Sequence, residues 1–380
     1  MSDRVFVFLE IFAREGGIQS YVKDLFQGYS HLENSQGETA EVFLLRDEPD
    51  CYNPYETDKL KFRYFKTPSA AKGRLNLITA LFIRCLWNRP RHLYCGHIKL
   101  APLIGLLSRT FGIPYTVLTY GKEVWETLPP NQRKALRQAD FIWTISRYSR
   151  DRMVEANRLE SDLGRAEPFH DRIAILPCIV DGEVFTPGEK PPELLAKYDL
   201  NHAKVLMTVA RLWSGDIYKG VDVTIRALPQ IFKAFPNVKY LVIGRGDDRP
   251  RLEALAEELS VSDRVIFAGF VPTADLPSHY RVADAYIMPS QEGFGIVYLE
   301  AMACGKPVLS GDADGSADPL QDGLLGWQVP HRDPEAVAHA CIEILQGNDK
   351  RCNPQWLREA TLAKFSQQAF QQQLAKLLDG

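Results

Sequence analysis

Short apolar runs alternate with longer amphipathic segments along almost the whole chain. The runs have the length of buried strands, whereas the segments between them repeat apolar residues at helical spacing, as Ile18, Val22 and Leu25 do. Strands interleaved with helices are typical of βαβ units and therefore predict a parallel sheet. The predicted strands of the first half cover residues 5–9, 42–45, 92–95, 115–119 and 141–145.

The alternation stops at residues 177–192, which contain four prolines and two glycines and read as a linker. It then restarts, with predicted strands at 205–210, 238–243, 265–267 and 285–288, and predicted helices at 221–235, 251–259, 276–282 and 296–303. Residues 361–378 predict one last helix. The pattern therefore predicts an α/β protein of two similar blocks facing each other across a cleft, which is the usual ligand site in such proteins.

Composition narrows the class of protein without identifying it. The chain has 380 residues and a net charge of −3, so no excess of basic charge indicates nucleic-acid binding. Its seven cysteines form no C-x-x-C pair, which favours a reducing cytoplasm over a disulfide framework or a zinc site. The start of the chain lacks the apolar region of a signal peptide, and no apolar run approaches the ~20 residues that span a bilayer.

The strongest chemical signal is a pair of carboxylates around a glycine-rich turn. Glu292 lies on the predicted loop that enters the helix 296–303, and Glu300 is expected about two turns inside that helix. At 1.5 Å rise per residue the two acids would be ~12 Å apart, a distance that suits the sugar and the ribose of a nucleotide sugar. The helix N-terminus between them favours a diphosphate. The alternative is one surface glutamate and one ordinary helix glutamate.

Further candidates lie where predicted strands run into loops. Gly16 and Gly17 would let the backbone approach a phosphate or sugar closely, although a flexible loop is the more common meaning of two glycines. Arg211 and Lys219 flank a predicted helix start and would hold a diphosphate, the alternative being two solvated cations. His97 would contact a sugar hydroxyl, or would simply end its strand with a backbone hydrogen bond.

Two motifs are interpreted against their usual meaning. Gly244 and Gly246 begin like a dinucleotide fingerprint, but Arg249 stands where the third glycine belongs, so a turn lining the cleft is favoured over NAD binding. Asp312 and Asp314 form a D-x-D pair of the kind that binds Mg²⁺ through nucleotide phosphates. Because Arg211 and Lys219 already supply positive charge, metal ligation there is the less favoured interpretation.

Taken together, these segments resemble family 4 of the retaining glycosyltransferases, which have the GT-B fold of two Rossmann-like parallel-sheet domains. The resemblance is specific in the second half, where the E-x7-E pair Glu292 and Glu300 lies, and looser around Gly16, Gly17 and His97. It implies an N-terminal acceptor domain, 1–182, completed by a C-terminal helix at 363–380, and a nucleotide-sugar domain, 190–362. Cys178 and Tyr120 depart from the family pattern, which weakens transfer of acceptor details.

The resemblance also implies roles for individual residues. Glu300 would bind the ribose, Glu292 would hold the donor sugar, and Arg211 and Lys219 would hold the diphosphate. His97 would contact the sugar, so the expected catalytic set is His97, Arg211, Lys219 and Glu292. The expected substrate-binding set adds Gly16, Gly17, Gly244, Phe270, Val271, Gly293, Phe294, Gly295, Ile296, Val297 and Glu300. Neither a metal nor a cofactor is expected.

The reaction implied is hexose transfer with retention, in which the leaving phosphate takes the acceptor proton. UDP-glucose is the expected donor on grounds of abundance alone, and a glycan or lipid-linked glycan of polysaccharide biosynthesis is the expected acceptor. The alternatives are a non-catalytic nucleotide-sugar regulator or partner subunit, a phosphorylase-like protein and, more distantly, an NAD oxidoreductase.

A cationic stretch in the first half bears on the acceptor. Residues 59–91 contain nine Lys or Arg, no Asp or Glu, and several interleaved aromatic residues. This composition suits peripheral contact with the anionic inner face of a membrane. The alternative is a solvated cationic edge whose aromatic residues belong to the core.

Overall fold

The computed structural model describes residues 2–14, 16–32, 39–159 and 169–379. Contacts divide the chain into two compact units, the first formed by Met1–Cys178 with Phe370–Gly380 and the second by Ile179–Ala369. The predicted boundaries at 182 and 363 compare with divisions after Cys178 and after Ala369.

The described part of the first unit has seven strands: β1 (Ser2–Phe8), β2 (Thr39–Leu44), β3 (Leu60–Tyr64), β4 (His92–Cys95), β5 (Tyr115–Thr119), β6 (Phe141–Thr144) and β7 (Ile173–Ile175). Their order in the sheet is β3-β2-β1-β4-β5-β6-β7, and every pairing is parallel. The strand order reverses between β1 and β4. The helices between the strands are α1 (Gly17–Ser30), α2 (Ala70–Trp87), α3 (Ala101–Phe111), α4 (Pro130–Gln138) and α5 (Arg147–Asn157).

The second unit has six strands: β8 (Lys204–Val209), β9 (Val238–Ile243), β10 (Val265–Gly269), β11 (Ala285–Met288), β12 (Val308–Gly311) and β13 (Trp327–Val329). Their order is β10-β9-β8-β11-β12-β13, again all parallel. Its helices are α6 (Pro192–Lys197), α7 (Val221–Ala234), α8 (Arg249–Glu258), α9 (Leu276–Val282), α10 (Ile296–Ala303), α11 (Pro334–Gln346) and α12 (Pro354–Phe365). The order reverses between β8 and β11, and ligands of such sheets bind near the reversal.

The predicted final helix is wrong in one respect, because the segment forms two helices. The chain is extended at Ser366, and α13 (Gln367–Asp379) begins one residue later. Within the first unit, the Gln373 amide of α13 donates to the Ile175 carbonyl at 2.5 Å, and the Arg4 guanidinium donates to the Leu378 carbonyl at 3.0 Å. These bonds attach the end of the chain to the sheet that contains its beginning.

Four strands escaped the sequence pattern. In β3, Lys61 and Arg63 alternate with apolar residues at the edge of the sheet, and β7 and β13 have three residues each. The fourth, β12, reads as a continuation of the loop after α10. The sequence pattern did predict other strands that are buried on both faces, because strands of a parallel sheet covered by helices have unbroken apolar runs. No helix in the described part of the chain is long and apolar enough to cross a membrane.

Candidate functional site

Most predicted site residues of the second unit lie at the carboxyl edge of its sheet, where the strand ends pack closely. Gly244 has φ 140°, and a Cβ there would lie 1.8 Å from the Ala210 carbonyl oxygen. A Cβ on Gly246 would lie 1.9 Å from the Leu212 carbonyl oxygen. Both glycines therefore let the loop after β9 pass against the loop after β8, which explains their spacing without a dinucleotide.

An ion pair joins two of the predicted residues. The Lys219 ammonium donates to Glu292 Oε1, and each side chain is only 17% exposed. Burial alone would lower the pKa of Lys219, but the Glu292 carboxylate outweighs it and the pKa is raised. Lys219 is placed there by Gly220, whose φ of 74° begins α7 and whose missing side chain leaves room for the Pro289 carbonyl. The pair is therefore a built feature, and its raised pKa keeps the Lys219 ammonium charged at neutral pH.

Arg211 is held differently from Lys219. Its guanidinium lies 3.0 Å from the buried Asp216 carboxylate and 4.7 Å from the centre of the Trp213 ring, and its side chain is 60% exposed. The two predicted phosphate-binding cations are thus each paired with a carboxylate of their own. Their pairing leaves Arg211 able to reach solvent, whereas Lys219 is fixed.

The loop that carries Glu292 is fastened to the loop after β12. The Glu292 N–H donates to Asp314 Oδ2, and the Gly315 N–H donates to the Glu292 carbonyl at 2.7 Å. Asp314 Oδ1 also accepts from the Ser316 N–H at 2.8 Å. Burial raises the pKa of Asp314 to about 6. Asp314 is therefore a positioning residue for Glu292, a role that its D-x-D pattern does not indicate.

Helix α10 begins at a glycine in a left-handed conformation. Gly295 has φ 89°, and among the described residues no side chain caps the helix N-terminus that starts with Ile296 and Val297. Phe294 is buried and packs edge-on against Phe365, with ring centres 6.0 Å apart. The helix N-terminus that follows Gly295 therefore has no side-chain cap, and such a terminus suits an anion.

Glu300 lies closer to the helix start than predicted. It is the fifth residue of α10, so it is about one turn inside rather than two. Its Oε2 accepts a 2.7 Å hydrogen bond from the Tyr280 hydroxyl. Burial raises the pKa of Glu300 to about 7. This carboxyl group therefore changes charge within the physiological pH range.

Phe270 and Val271 follow β10 but differ in exposure. Phe270 is 63% exposed, with the Arg245 guanidinium 4.8 Å from its ring centre, whereas Val271 is buried. The Gly244 N–H donates to the Gly269 carbonyl at 2.8 Å and holds the ends of β9 and β10 together. An aromatic face at this edge could stack a base, in addition to the backbone contacts that the resemblance implies.

In the first unit, His97 and the glycine pair have ordinary geometry. Gly16 is extended with φ 171°, and Gly17 is the first residue of α1, with no atom within 4 Å of where its Cβ would be. His97 Nδ1 accepts from the Lys99 N–H at 3.1 Å. Burial, with Lys99 and Arg46 nearby, lowers the pKa of His97 to about 4. The imidazole is therefore neutral, and Nε2 carries the proton.

Two acids of the first unit, one buried and one partly buried, were not predicted. Asp47 is fully buried and accepts from the N–H groups of Ile11, Phe12 and Ala13 at 2.7, 2.8 and 2.7 Å. Glu123 accepts from the Tyr120 N–H at 2.5 Å, and burial raises its pKa. Both shape strand-end loops through backbone contacts, and no sequence signal separates such an acid from a surface one.

The metal prediction is not tested by this geometry. Both oxygens of Asp314 are used by hydrogen-bond donors of the protein, and Asp312 is exposed. Within the described ranges, no group of three or more His, Cys, Asp or Glu side chains is arranged to hold a metal ion.

Known proteins resemble this chain in the sequence of its second unit and in its fold. Residues 203–347 match the family model described as glycosyl transferases group 1. The structure superposes on Anabaena HepE in complex with UDP with a TM-score of 0.73, at 19% identity and over 100% of both chains. The chain has the GT-B fold. The fold prediction of two parallel-sheet, Rossmann-like domains is therefore confirmed.

Curated relatives extend the similarity beyond the fold. The chain is 33% identical over 257 residues to a GDP-mannose-dependent alpha-(1-6)-phosphatidylinositol monomannoside mannosyltransferase of Mycolicibacterium smegmatis, covering 64% of each protein. It is 27% identical over 357 residues to a GDP-mannose-dependent monoacylated alpha-(1-6)-phosphatidylinositol monomannoside mannosyltransferase of Corynebacterium glutamicum, covering 89% of this GT-B chain and 87% of that protein. The first alignment spans less than two thirds of the relative. The prediction that the chain is related to glycosyltransferase enzymes is confirmed.

Proposed function

We propose that the protein transfers a hexose from a nucleoside-diphosphate sugar to a hydroxyl group of a glycan or lipid-linked glycan. The observation that carries the proposal is the partly buried Lys219–Glu292 ion pair next to the N-terminus of α10, which has no side-chain cap. A diphosphate placed at that N-terminus would lie beside one cation and one sugar-binding carboxylate. The match of residues 203–347 to glycosyl transferases group 1 supports the same chemistry.

Each residue at this edge has a chemical role in the proposal. Lys219 and Arg211 stabilise the charge that develops on the departing nucleoside diphosphate, a contribution that is large in a partly dry site. Glu292 accepts hydrogen bonds from the sugar hydroxyls, and Glu300 accepts from the ribose hydroxyls. The acceptor attacks from the face that the phosphate leaves, so the anomeric configuration is retained without a covalent intermediate.

The donor base is proposed from the relatives rather than from side chains. Both mannosyltransferases described above are GDP-mannose-dependent by name, whereas the expectation of UDP-glucose rested on no residue. GDP-mannose is therefore the preferred donor, with UDP-glucose as the alternative. The exposed Phe270 ring with Arg245 against it would accommodate a purine by stacking.

The donor site is tested by thermal unfolding with GDP, UDP, ADP and TDP, each with and without Mg²⁺. Stabilisation by GDP alone, unchanged by Mg²⁺, is the expected result and approaches ~2.7 kcal/mol at 100 times Kd. Stabilisation by UDP instead of GDP would mean that the base of the donor is uracil and not guanine. No stabilisation by any diphosphate would overturn the proposed site.

Catalysis is tested separately from binding. Slow hydrolysis of GDP-mannose in the absence of acceptor is expected of an enzyme, with mannose released as the α-anomer when the product is followed by NMR. Tight donor binding without hydrolysis, and without transfer to any glycan or lipid-linked acceptor, would favour a nucleotide-sugar regulator.

The acceptor proposal includes peripheral contact with the inner face of a membrane through residues 59–91. Both relatives act, by name, on phosphatidylinositol mannosides, which are lipid-linked glycans. The cationic composition of this segment supports contact with anionic lipid.

A further inference from the structure

Helix α2 is apolar on the face that it turns to solvent. Leu75, Ile78, Phe82 and Leu86 follow one another at intervals of three or four residues, and their exposed fractions are 62%, 42%, 46% and 55%. A surface helix of a globular protein normally carries its apolar stripe toward the core and polar residues outward. The outward stripe of α2 therefore needs a partner.

The inward face of the same helix is already satisfied. Leu77, Leu81 and Cys85 belong to the core of the first unit. The buried Arg84 donates to Glu41 of β2 at 3.1 Å, so even its charge is paired within the unit. Rotation of α2 would expose this core, so the outward stripe is not a helix packed the wrong way round.

The apolar stripe continues to the end of the helix. Ile83 is 43% exposed and Trp87 is 81% exposed, and both line a groove beside α2 together with Leu75 and Arg63. An exposed tryptophan at the end of an apolar helix face is typical of side chains that lie at a membrane–water interface. The combined surface is a contiguous patch rather than scattered apolar residues, and such patches mark interaction sites.

Charge decides between the kinds of partner that could cover this patch. Lys72 and Arg74 are exposed near the start of α2, and Arg89 and Arg91 are exposed just after its end. A twofold contact between two copies would place these cations against one another, with no Asp or Glu in residues 59–91 to compensate. An anionic surface matches the cations at both ends.

We propose that the outward face of α2, defined by Leu75, Ile78, Phe82, Ile83, Leu86 and Trp87, docks the first unit on a bilayer containing anionic phospholipids. The helix lies in the interface plane, with its apolar face in the headgroup and acyl boundary and its cations on the lipid phosphates. The inference deepens the proposed function by naming the surface that meets lipid, and it rests on that function only for the presence of a lipid-linked acceptor. Phe62 of β3 is buried and therefore does not belong to this lipid-binding face.

The test is co-sedimentation of the full chain with vesicles of pure phosphatidylcholine and with vesicles that also contain phosphatidylglycerol. Binding to the anionic vesicles is expected, with weak binding to the neutral ones. The triple variant Ile78→Gln, Phe82→Gln and Leu86→Gln should lose at least tenfold in affinity. The matched control is Leu324→Gln, an exposed leucine of the second unit, which should leave binding unchanged.

A charge variant separates electrostatic from apolar docking. Lys72→Gln with Arg74→Gln should weaken binding to the anionic vesicles about 25-fold, since each cation contributes about fivefold near an anionic surface. Equal binding to both vesicle types, or wild-type binding by the triple variant, would overturn the proposal.

Two further measurements keep this inference separate from the donor reaction. Hydrolysis of the nucleotide sugar by the triple variant should equal that of the wild type, because α2 takes no part in the donor site. Light scattering should show the same mass for both proteins, and a wild-type dimer lost in the triple variant would assign the α2 face to self-association instead of lipid.

Discussion

The carboxyl edges of the two sheets carry acids that do different work. In the second unit, Glu292 forms an ion pair with Lys219. Asp314 accepts a hydrogen bond from the Glu292 N–H and so fixes the loop that carries Glu292. In the first unit, Asp47 and Glu123 accept hydrogen bonds from backbone N–H groups, and the lowered pKa of His97 leaves its imidazole neutral. At the first edge these two acids shape loops, and the Arg46–Glu10 ion pair there has an arginine that is 48% exposed, whereas at the second edge both side chains of the Lys219–Glu292 pair are 17% exposed.

This difference teaches which half of the molecule has a fixed chemical task. A diphosphate has the same charge and shape in every nucleotide sugar, so in the proposed donor site a paired cation, a carboxylate and a helix N-terminus without a side-chain cap would serve any donor. The family model matches residues 203–347, which all lie in the second unit. Acceptors vary, and loops shaped by backbone contacts can vary with them.

The largest effect is expected from loss of the partly buried cation Lys219. Lys219→Ala should lower kcat about 10²-fold or more, because it removes charge stabilisation from the leaving diphosphate and leaves Glu292 unpaired. Steady-state rates of donor hydrolysis and transfer measure the change. Lys239→Ala, which removes only a surface pair with Asp199, is the matched control and should remain near wild type. Arg211→Ala should lower kcat less than Lys219→Ala does, because Arg211 is more exposed. Wild-type rates in both variants would contradict the comparison of the two sheet edges.

A smaller loss is expected when Asp314 no longer positions Glu292. Asp314→Asn should lower kcat/KM about tenfold, because the amide nitrogen then faces a backbone N–H that needs an acceptor. Asp312→Asn changes an exposed residue of the same loop and should stay within about twofold of wild type. Loss of activity in both variants that Mg²⁺ restores would instead indicate a metal site.

The pH dependence of donor binding should follow Glu300. Because the pKa of Glu300 is about 7, the carboxyl is protonated below that pH and accepts ribose hydrogen bonds fully only above it. The affinity for the nucleoside diphosphate is therefore expected to rise severalfold between pH 6 and pH 8, measured by titration calorimetry. Glu300→Gln should flatten this profile. Tyr280→Phe removes a hydrogen bond that lowers the pKa of Glu300, so its midpoint should move to higher pH.

The same group predicts the sign of a stability change. The pKa of Glu300 in the folded protein lies above the ordinary value of about 4.3, so its contribution to the free energy of unfolding is full below that value. The contribution is lost as pH rises through about 7. Chemical denaturation should show a steeper decline from pH 5 to pH 8 for wild type than for Glu300→Gln. A parallel decline in the two proteins would contradict the burial of this carboxyl.

The smallest effect is expected in the first unit. His97→Ala should lower kcat/KM only severalfold, since it removes a neutral donor rather than a charge. Because the pKa of His97 is about 4, this residue does not change charge near pH 6.5. The pH profiles of the wild type and of His97→Ala should therefore have the same shape around that pH. A loss as large as that of Lys219→Ala would mean that the first edge carries the chemistry as well.

Much of the second unit could be predicted from the sequence. The strands 238–243 and 285–288 and the helices 276–282 and 296–303 coincide with β9, β11, α9 and α10. These elements carry continuous apolar runs or clear helical periodicity, and both signals are local. The depth of Glu300 was wrong because counting from the glycine turn placed the residue one helical turn too far along α10.

The function of the cationic segment could not be predicted from its composition. Sequence pattern places Phe62 and Phe82 in one aromatic series, but the first is buried in β3 and the second is exposed on α2. Helical periodicity identifies apolar stripes without saying which of two such faces meets the core. The packing of α2 through Leu77, Leu81 and Cys85 decides that question.

The sequence by itself determined the alternation of strands and helices, the glycines at the strand ends, and the set of charged residues available to a donor. The tertiary structure decided which charges meet. Lys219 and Glu292 are 73 residues apart, and Glu292 and Asp314 are 22 apart, yet both pairs are in contact. The physical reason is that parallel strands bring their carboxyl ends to one edge only through long crossover connections. Local patterns therefore specify the elements, and the order of strands in the sheet specifies the site.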